Sequence, residues 1–154
     1  MILNILKIGI IMKQANYIDP LTHGNNRNAF KKFLNSNNTN LQNNTIVLLD
    51  IALFAHYNND LGHNKGDHLI YDIFKQLVKY YSYTNIYRYS GNQFILIFDD
   101  INHFKNIELK KLIVILENIT VVDFNIKNVG KVDIRLIIKA NYPELENLLE
   151  FYNY

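Results

Sequence analysis

Ile86 to Phe98 reads Ile-Tyr-Arg-Tyr-Ser-Gly-Asn-Gln-Phe-Ile-Leu-Ile-Phe, two β-forming runs on either side of a break at Ser90-Gly91-Asn92-Gln93. Gly91 and Asn92 are natural turn residues, so the stretch predicts a β-hairpin. Upstream, Leu69, Ile70, Ile73, Phe74, Leu77 and Val78 recur at spacings of three and four and predict a long amphipathic helix from Gly66 to about Tyr81. Before it, Thr45 to Leu49 is an unbroken apolar run rich in β-formers, the pattern of a strand buried on both faces. Asp50 closes that strand. Open α/β sheets tend to place chemistry at such a strand end, although a simple strand-end cap is the plainer reading. A shorter helix is predicted from near Asn26 to Leu34, with Phe30, Phe33 and Leu34 on one face. Downstream, a second long helix is predicted over Phe104 to Ile119. Val121–Ile126 and Lys131–Ile138 form a second hairpin around Lys127-Asn128-Val129-Gly130, and a last helix opens at Pro143. The order is helix, strand, helix, hairpin, helix, hairpin, helix: an α+β layer of mostly antiparallel sheet with helices packed on it.

The chain has 154 residues, which suits one domain, and 49% of them are hydrophobic, enough for a real core. A formal net charge of +2 is too weak a bias to imply nucleic acid. Cysteine is absent, which excludes disulfides and thiolate metal sites and agrees with a reducing compartment. There are 24 asparagines, so any single Asn is weak evidence for a role. Asn35 to Asn44 is the one low-complexity stretch and reads as a solvated loop. Met1 to Met12 is apolar but broken by Asn4 and Lys7; it is too short to span a bilayer and lacks the flanks of a signal peptide. Residues 1–16 read as a short N-terminal segment or helix, with Met12 as an alternative start, and 17–154 as the folded domain.

Three blocks, in order, carry a family resemblance. Asp19-Pro20-Leu21-Thr22-His23-Gly24-Asn25-Asn26-Arg27-Asn28-Ala29-Phe30 follows D-x-L-T-G-L-x-N-R-R-x-F, with His23 and Gly24 departing from the Gly-Leu pair. The segment from Asp50 to Asp67 follows D-I-D-x-F-K-x-x-N-D-x-x-G-H-x-x-G-D, with Ala52 and Ala55 in place of an aspartate and a lysine. Arg88-Tyr89-Ser90-Gly91-Asn92-Gln93-Phe94 follows R-x-G-G-D-E-F. The chain therefore resembles the GGDEF family, the diguanylate cyclases, over nearly its whole length. The resemblance implies a nucleotidyl-cyclase-like palm: a central, mostly antiparallel five-stranded sheet flanked by helices.

It also implies a site in which two divalent ions sit between Asp50, the backbone carbonyl of Ile51 and the signature glutamate, and assist attack on a triphosphate. Here that glutamate is Gln93, and the acid before it is Asn92. Hard cations want anionic oxygen, which an amide lacks. Asp50 and Ile51 are thus expected to hold Mg²⁺ weakly at best, no cofactor is firmly implied, and Ser90, Gly91, Asn92, Gln93 and Phe94 are expected to form a catalytically degenerate signature. The resemblance assigns guanine recognition to Asn58 and Asp67, both kept, with Phe54 and His63 beside them. The plainer readings are a background Asn in a turn and a carboxylate favoured by a helix N-terminus. The family's inhibitory product site, R-x-x-D, falls on Tyr81-Ser82-Tyr83-Thr84, where neither charge is present. The basic residues of the C-terminal A-K-x-x-G-R-N have no counterpart before Tyr154.

The five histidines, including His56, His63 and His68, make no zinc pattern and are expected to be structural. Tyr80, Tyr81, Tyr83, Tyr87 and Tyr89 offer base-stacking surface, but hairpin and core edge is the expected role. The expected function is a cytoplasmic bacterial GGDEF-type protein that works by binding in c-di-GMP-type signalling. Its expected partners are GTP or a related guanine nucleotide, a second copy, or a GGDEF/EAL-type protein, with no nucleic acid and no membrane span. Two alternatives stay open: a residual metal-dependent cyclase using Asp50, with Asp60 as a displaced acid, and an interaction module that binds no nucleotide.

Overall fold

β2 (Thr45–Ile51) is the spine of the sheet, and every one of its residues is buried. In a computed structural model, which describes residues 16–36, 44–82, 85–98 and 134–139, it lies between two antiparallel neighbours, β4 (Gln93–Phe98) and β5 (Ile134–Lys139). β3 (Ile86–Ser90) pairs antiparallel with β4, and the two-residue β1 (Asn25–Asn26) adds to β3 in parallel, giving the order β1-β3-β4-β2-β5. The α+β class and the mostly antiparallel sheet expected from the sequence are therefore present; among the described residues the sheet has five strands, one of which, β1, was not expected.

Alternation along β2 sorts the core into two layers. Val47, Leu49 and Ile51, with Phe94 and Leu96 of β4, face α3 (His63–Tyr80), which contributes Leu69, Ile70, Ile73, Phe74 and Leu77. Ile46 and Leu48, with Ile95, Ile97, Tyr87 and Tyr89, face α1 (Arg27–Ser36) through Phe30 and Leu34. Each fully buried aliphatic side chain contributes on the order of 2 kcal/mol. Covering both faces is what allows β2 to be apolar throughout.

Three local expectations change. The hairpin turn is tighter than the four residues proposed: Ser90 already pairs with Gln93, leaving Gly91 and Asn92 at the tip, and the ladder shifts register between Arg88 and Ser90. A further helix, α2 (Phe54–Leu61), stands between β2 and α3. α3 begins at His63 rather than Gly66, so Gly66 lies inside it. Its place there is set by close approach: a Cβ on Gly66 would overlap the Asn58 side chain of α2. The predicted helices at 104–119 and 143–152, the strand at 121–126 and the N-terminal segment lie outside the described residues. The strand expected over Lys131–Ile138 is met by β5.

Candidate functional site

The site is built where two turns meet the end of β2. The first is closed by Asp19, whose Oδ1 accepts from the backbone N–H of Thr22 at 2.8 Å and from its hydroxyl at 2.9 Å. Short polar side chains make such turns because they can replace a backbone acceptor. Arg88 of β3 donates from Nη1 to both Asp19 oxygens, at 2.9 and 3.2 Å, and from Nη2 to the carbonyl of Gly91 at 3.1 Å. One guanidinium thus ties the Asp19 turn to the hairpin tip. Burial pushes the Asp19 carboxyl up, but the Thr22 N–H, the Arg88 guanidinium and the Thr22 hydroxyl together outweigh it and hold the group below its ordinary value.

The second turn lies against Asp50. Ladder register sets Asp50 opposite Gln93 on one side and Arg135 on the other. The Asp50 side chain is buried with the rest of β2. Asn92 Nδ2 donates to Asp50 Oδ1 at 3.1 Å and to the Ile51 carbonyl at 3.0 Å; Gln93 Nε2 donates to the same Asp50 oxygen at 3.3 Å. Ile51 N–H returns a bond to the Asn92 carbonyl at 3.0 Å. Ser90 Oγ donates to Gln93 Oε1 at 3.0 Å. The amide orientations follow from chemistry, since a carboxylate and a carbonyl only accept.

This donor set does not fit a pair of divalent cations. Asp50 is the one anionic ligand among the residues concerned, and the lone pairs of Asp50 Oδ1 and Ile51 O that would face a metal already face N–H groups. Among the described residues no group of three or more His, Cys, Asp or Glu is placed to hold a metal ion. Phe94, the last signature residue, takes no part in the site. It is fully buried and stacks on Phe74 with ring centroids 6.3 Å apart.

The residues assigned to guanine recognition gather where α2 meets α3. Phe54 stacks nearly parallel on Tyr57, and with Asn58 it fills the space left by the missing side chain of Gly66. Asn58 Oδ1 is buried and has no hydrogen-bond partner among the described residues. Asp67 and His63 are exposed on α3. Beside them, Leu53 stands 69% exposed with a left-handed backbone (φ 56°).

Sequence reasoning did not connect Arg88 to Asp19, nor give Ser90 a role. The signal for Ser90 was there: an amide at 93 facing a carboxylate turns its own oxygen towards a donor. The tyrosines divide. Tyr87 and Tyr89 are buried against Phe30 in the α1 layer, and Arg27 stacks on Tyr89 at 4.5 Å, so neither is open for base stacking. Tyr81 packs edge-on against Phe98, and Tyr80 is exposed. Tyr83 and Thr84 lie outside the described residues.

A central buried strand ending in a carboxylate, a hairpin tip hydrogen-bonded to that end, and an Asp-x-Leu-Thr turn clamped to the hairpin define a nucleotidyl-cyclase-like palm domain. The model of the diguanylate cyclase GGDEF domain matches residues 16–142, and the chain belongs to that family. Solved structures agree on the fold. The S helix-GGDEF-EAL portion of Vibrio cholerae LapD, bound to c-di-GMP, is 16% identical with a TM-score of 0.67, over 97% of this chain and 36% of that one. Pseudomonas aeruginosa diguanylate cyclase SiaD, in complex with its activator SiaC, is 16% identical with a TM-score of 0.59, over 87% of this chain and 52% of that one. The coiled coil and GGDEF domain of Caulobacter crescentus DgcB, in complex with c-di-GMP, is 20% identical with a TM-score of 0.63, over 88% and 76%. This chain thus spans about a third of the LapD fragment and about half of the SiaD chain. No curated protein matches it. No helix among the described residues is long and apolar enough to cross a membrane.

Proposed function

We propose that this chain is a GGDEF-domain protein that binds a guanine nucleotide without cyclising it, and that it acts in c-di-GMP-type signalling as a binding module. The observation that carries the reading is the set of hydrogen bonds that the Asn92 and Gln93 side-chain amides donate to Asp50 and the Ile51 carbonyl. Those bonds use the oxygens that a two-metal reaction needs. Losing one electrostatic stabiliser costs roughly 10²–10³ in rate, and losing a metal position more. Binding survives in this reading because its groups are separate from the hairpin tip: Asp67 is exposed, and Asn58, half-buried with its Oδ1 turned in beside Gly66, has to turn that oxygen outward to meet a base. An Asn and a carboxylate present the acceptors and donor that a guanine edge requires. In this reading residues 17–154 are the GGDEF domain and residues 1–16 a short N-terminal segment or helix, and the protein works in the bacterial cytoplasm.

Calorimetric titration of GTP into the purified protein, with and without Mg²⁺, tests this. Micromolar binding that ignores Mg²⁺, abolished by Asn58→Ala and with no cyclic product formed, is the expected result. Product formation overturns the reading. A second reading, a protein-interaction module without nucleotide, draws on the exposed Leu53 at the lip of the site; absence of GTP binding in both conditions would favour it.

A further inference from the structure

An acidic signature turn beside Asp50 would place like charges together in a buried position. The nitrogens of Asn92 and Gln93 lie 3.1 and 3.3 Å from Asp50 Oδ1. Carboxylate oxygens at those positions would repel it unless a cation or a proton intervened. The amides remove that requirement. Asn92 uses both its side-chain hydrogens, one on the carboxylate and one on the Ile51 carbonyl, and Gln93 adds a third N–H. Ser90 holds the Gln93 amide in the orientation that aims Nε2 at Asp50. The backbone bond from Ile51 to Asn92 completes the seam.

We infer that Asn92 and Gln93 act as a built-in replacement for the cation: they latch the hairpin tip to the end of β2 by donating hydrogen bonds where a metal would accept lone pairs. The joint therefore needs no cation, and Ser90 is the positioning residue that keeps the Gln93 amide in register with Asp50. The latch holds whether or not the protein binds a nucleotide.

Thermal unfolding of the full chain, without nucleotide, in EDTA and in millimolar MgCl₂, tests it. The wild type should melt at the same temperature in both. The N92D/Q93E variant should melt lower in EDTA by about 5 °C or more and recover in Mg²⁺. Should the double variant fail to fold, Gln93→Glu alone, which leaves both Asn92 bonds in place, carries the same expectation on a smaller scale. Ser90→Ala should lower the melting temperature equally in EDTA and Mg²⁺. A wild-type melting temperature that rises with Mg²⁺, or an acidic variant that melts with the wild type in EDTA, overturns the inference. GTP binding plays no part in either readout, so failure here and failure of the nucleotide reading are distinguishable.

Discussion

Arg88 and Asp19 are 69 residues apart in the chain and 2.9 Å apart in the fold, where they join the Asp19 turn to the hairpin tip. Both side chains are largely withdrawn from solvent. Removing one partner of such a pair leaves a poorly solvated charge, which costs more than the pair contributes. Asp19→Asn should lower stability by about 3 kcal/mol in urea denaturation. Arg88→Ala should cost about as much, and the double variant little more than either alone, because the two side chains act as one unit.

The same carboxyl sets an acid limit. Its folded value lies below the ordinary 3.8, so its contribution is complete above pH 3.8 and is lost as pH falls from there through the lower folded value. Stability followed by chemical denaturation down an acid series should show this loss below about pH 4 in the wild type. The Asp19→Asn variant should lack that component.

Gly66 and Asn58 compete for one space. Alanine is the better helix former by about 1 kcal/mol. A methyl at position 66 would nonetheless overlap the Asn58 side chain and approach Phe54 Cζ. Overpacking costs of about 1–3 kcal/mol should win. Gly66→Ala should therefore destabilise the protein, and Gly66→Ala combined with Asn58→Ala should recover most of the loss.

Gly24 stands where the family pattern carries leucine, and Phe74 explains the change. A Cβ at Gly24 would lie 2.5 Å from two atoms of the Phe74 ring. Gly24→Leu should cost at least 1–3 kcal/mol in the wild-type background. It should cost far less beside Phe74→Ala, where the leucine enters the vacated volume. A double-mutant cycle measures that coupling.

His23 and Leu53 hold left-handed backbones, φ 58° and 56°, without being glycine. Position 23 is the family's glycine. His23→Gly and Leu53→Asn should each raise stability by roughly 0.5–1 kcal/mol, since glycine and asparagine adopt this conformation more readily. Melting temperatures of the two single variants check it.

Much of the frame was legible because its signals are local. β2 announces itself as an apolar run since both its faces are covered, and α3 by six apolar residues at helical spacing. α2 was missed for a physical reason: its stripe is only three residues long, Phe54, Tyr57 and Leu61 at i, i+3 and i+7, and of these Tyr57 alone is buried while the other two pack only partly against the core. Gly66 looked like a helix start because glycine usually marks ends, whereas here it makes room between two helices. β1 is two asparagines held by backbone pairing, with no side-chain pattern to read. At the site, the loss of acids was visible in the sequence. What the amides do instead depends on a partner some forty residues away and appears only in three dimensions.

The aromatic layer under α1 has an optical consequence. The chain has no tryptophan and eleven tyrosines, so its near-ultraviolet signal belongs almost wholly to tyrosine. Tyr87 and Tyr89 are fixed against Phe30 in a chiral, solvent-free setting, with ring centroids 5.4 and 6.0 Å from it. Near-ultraviolet circular dichroism therefore carries a contribution from the docking of α1, beside those of Tyr57 against Phe54 and Tyr81 against Phe98. The latch between Asp50 and the hairpin tip has no chromophore in its hydrogen bonds and is spectrally silent. A denaturation followed by that signal together with the far-ultraviolet one would show whether the aromatic packing on the sheet, the α1 layer included, loosens before the sheet gives way.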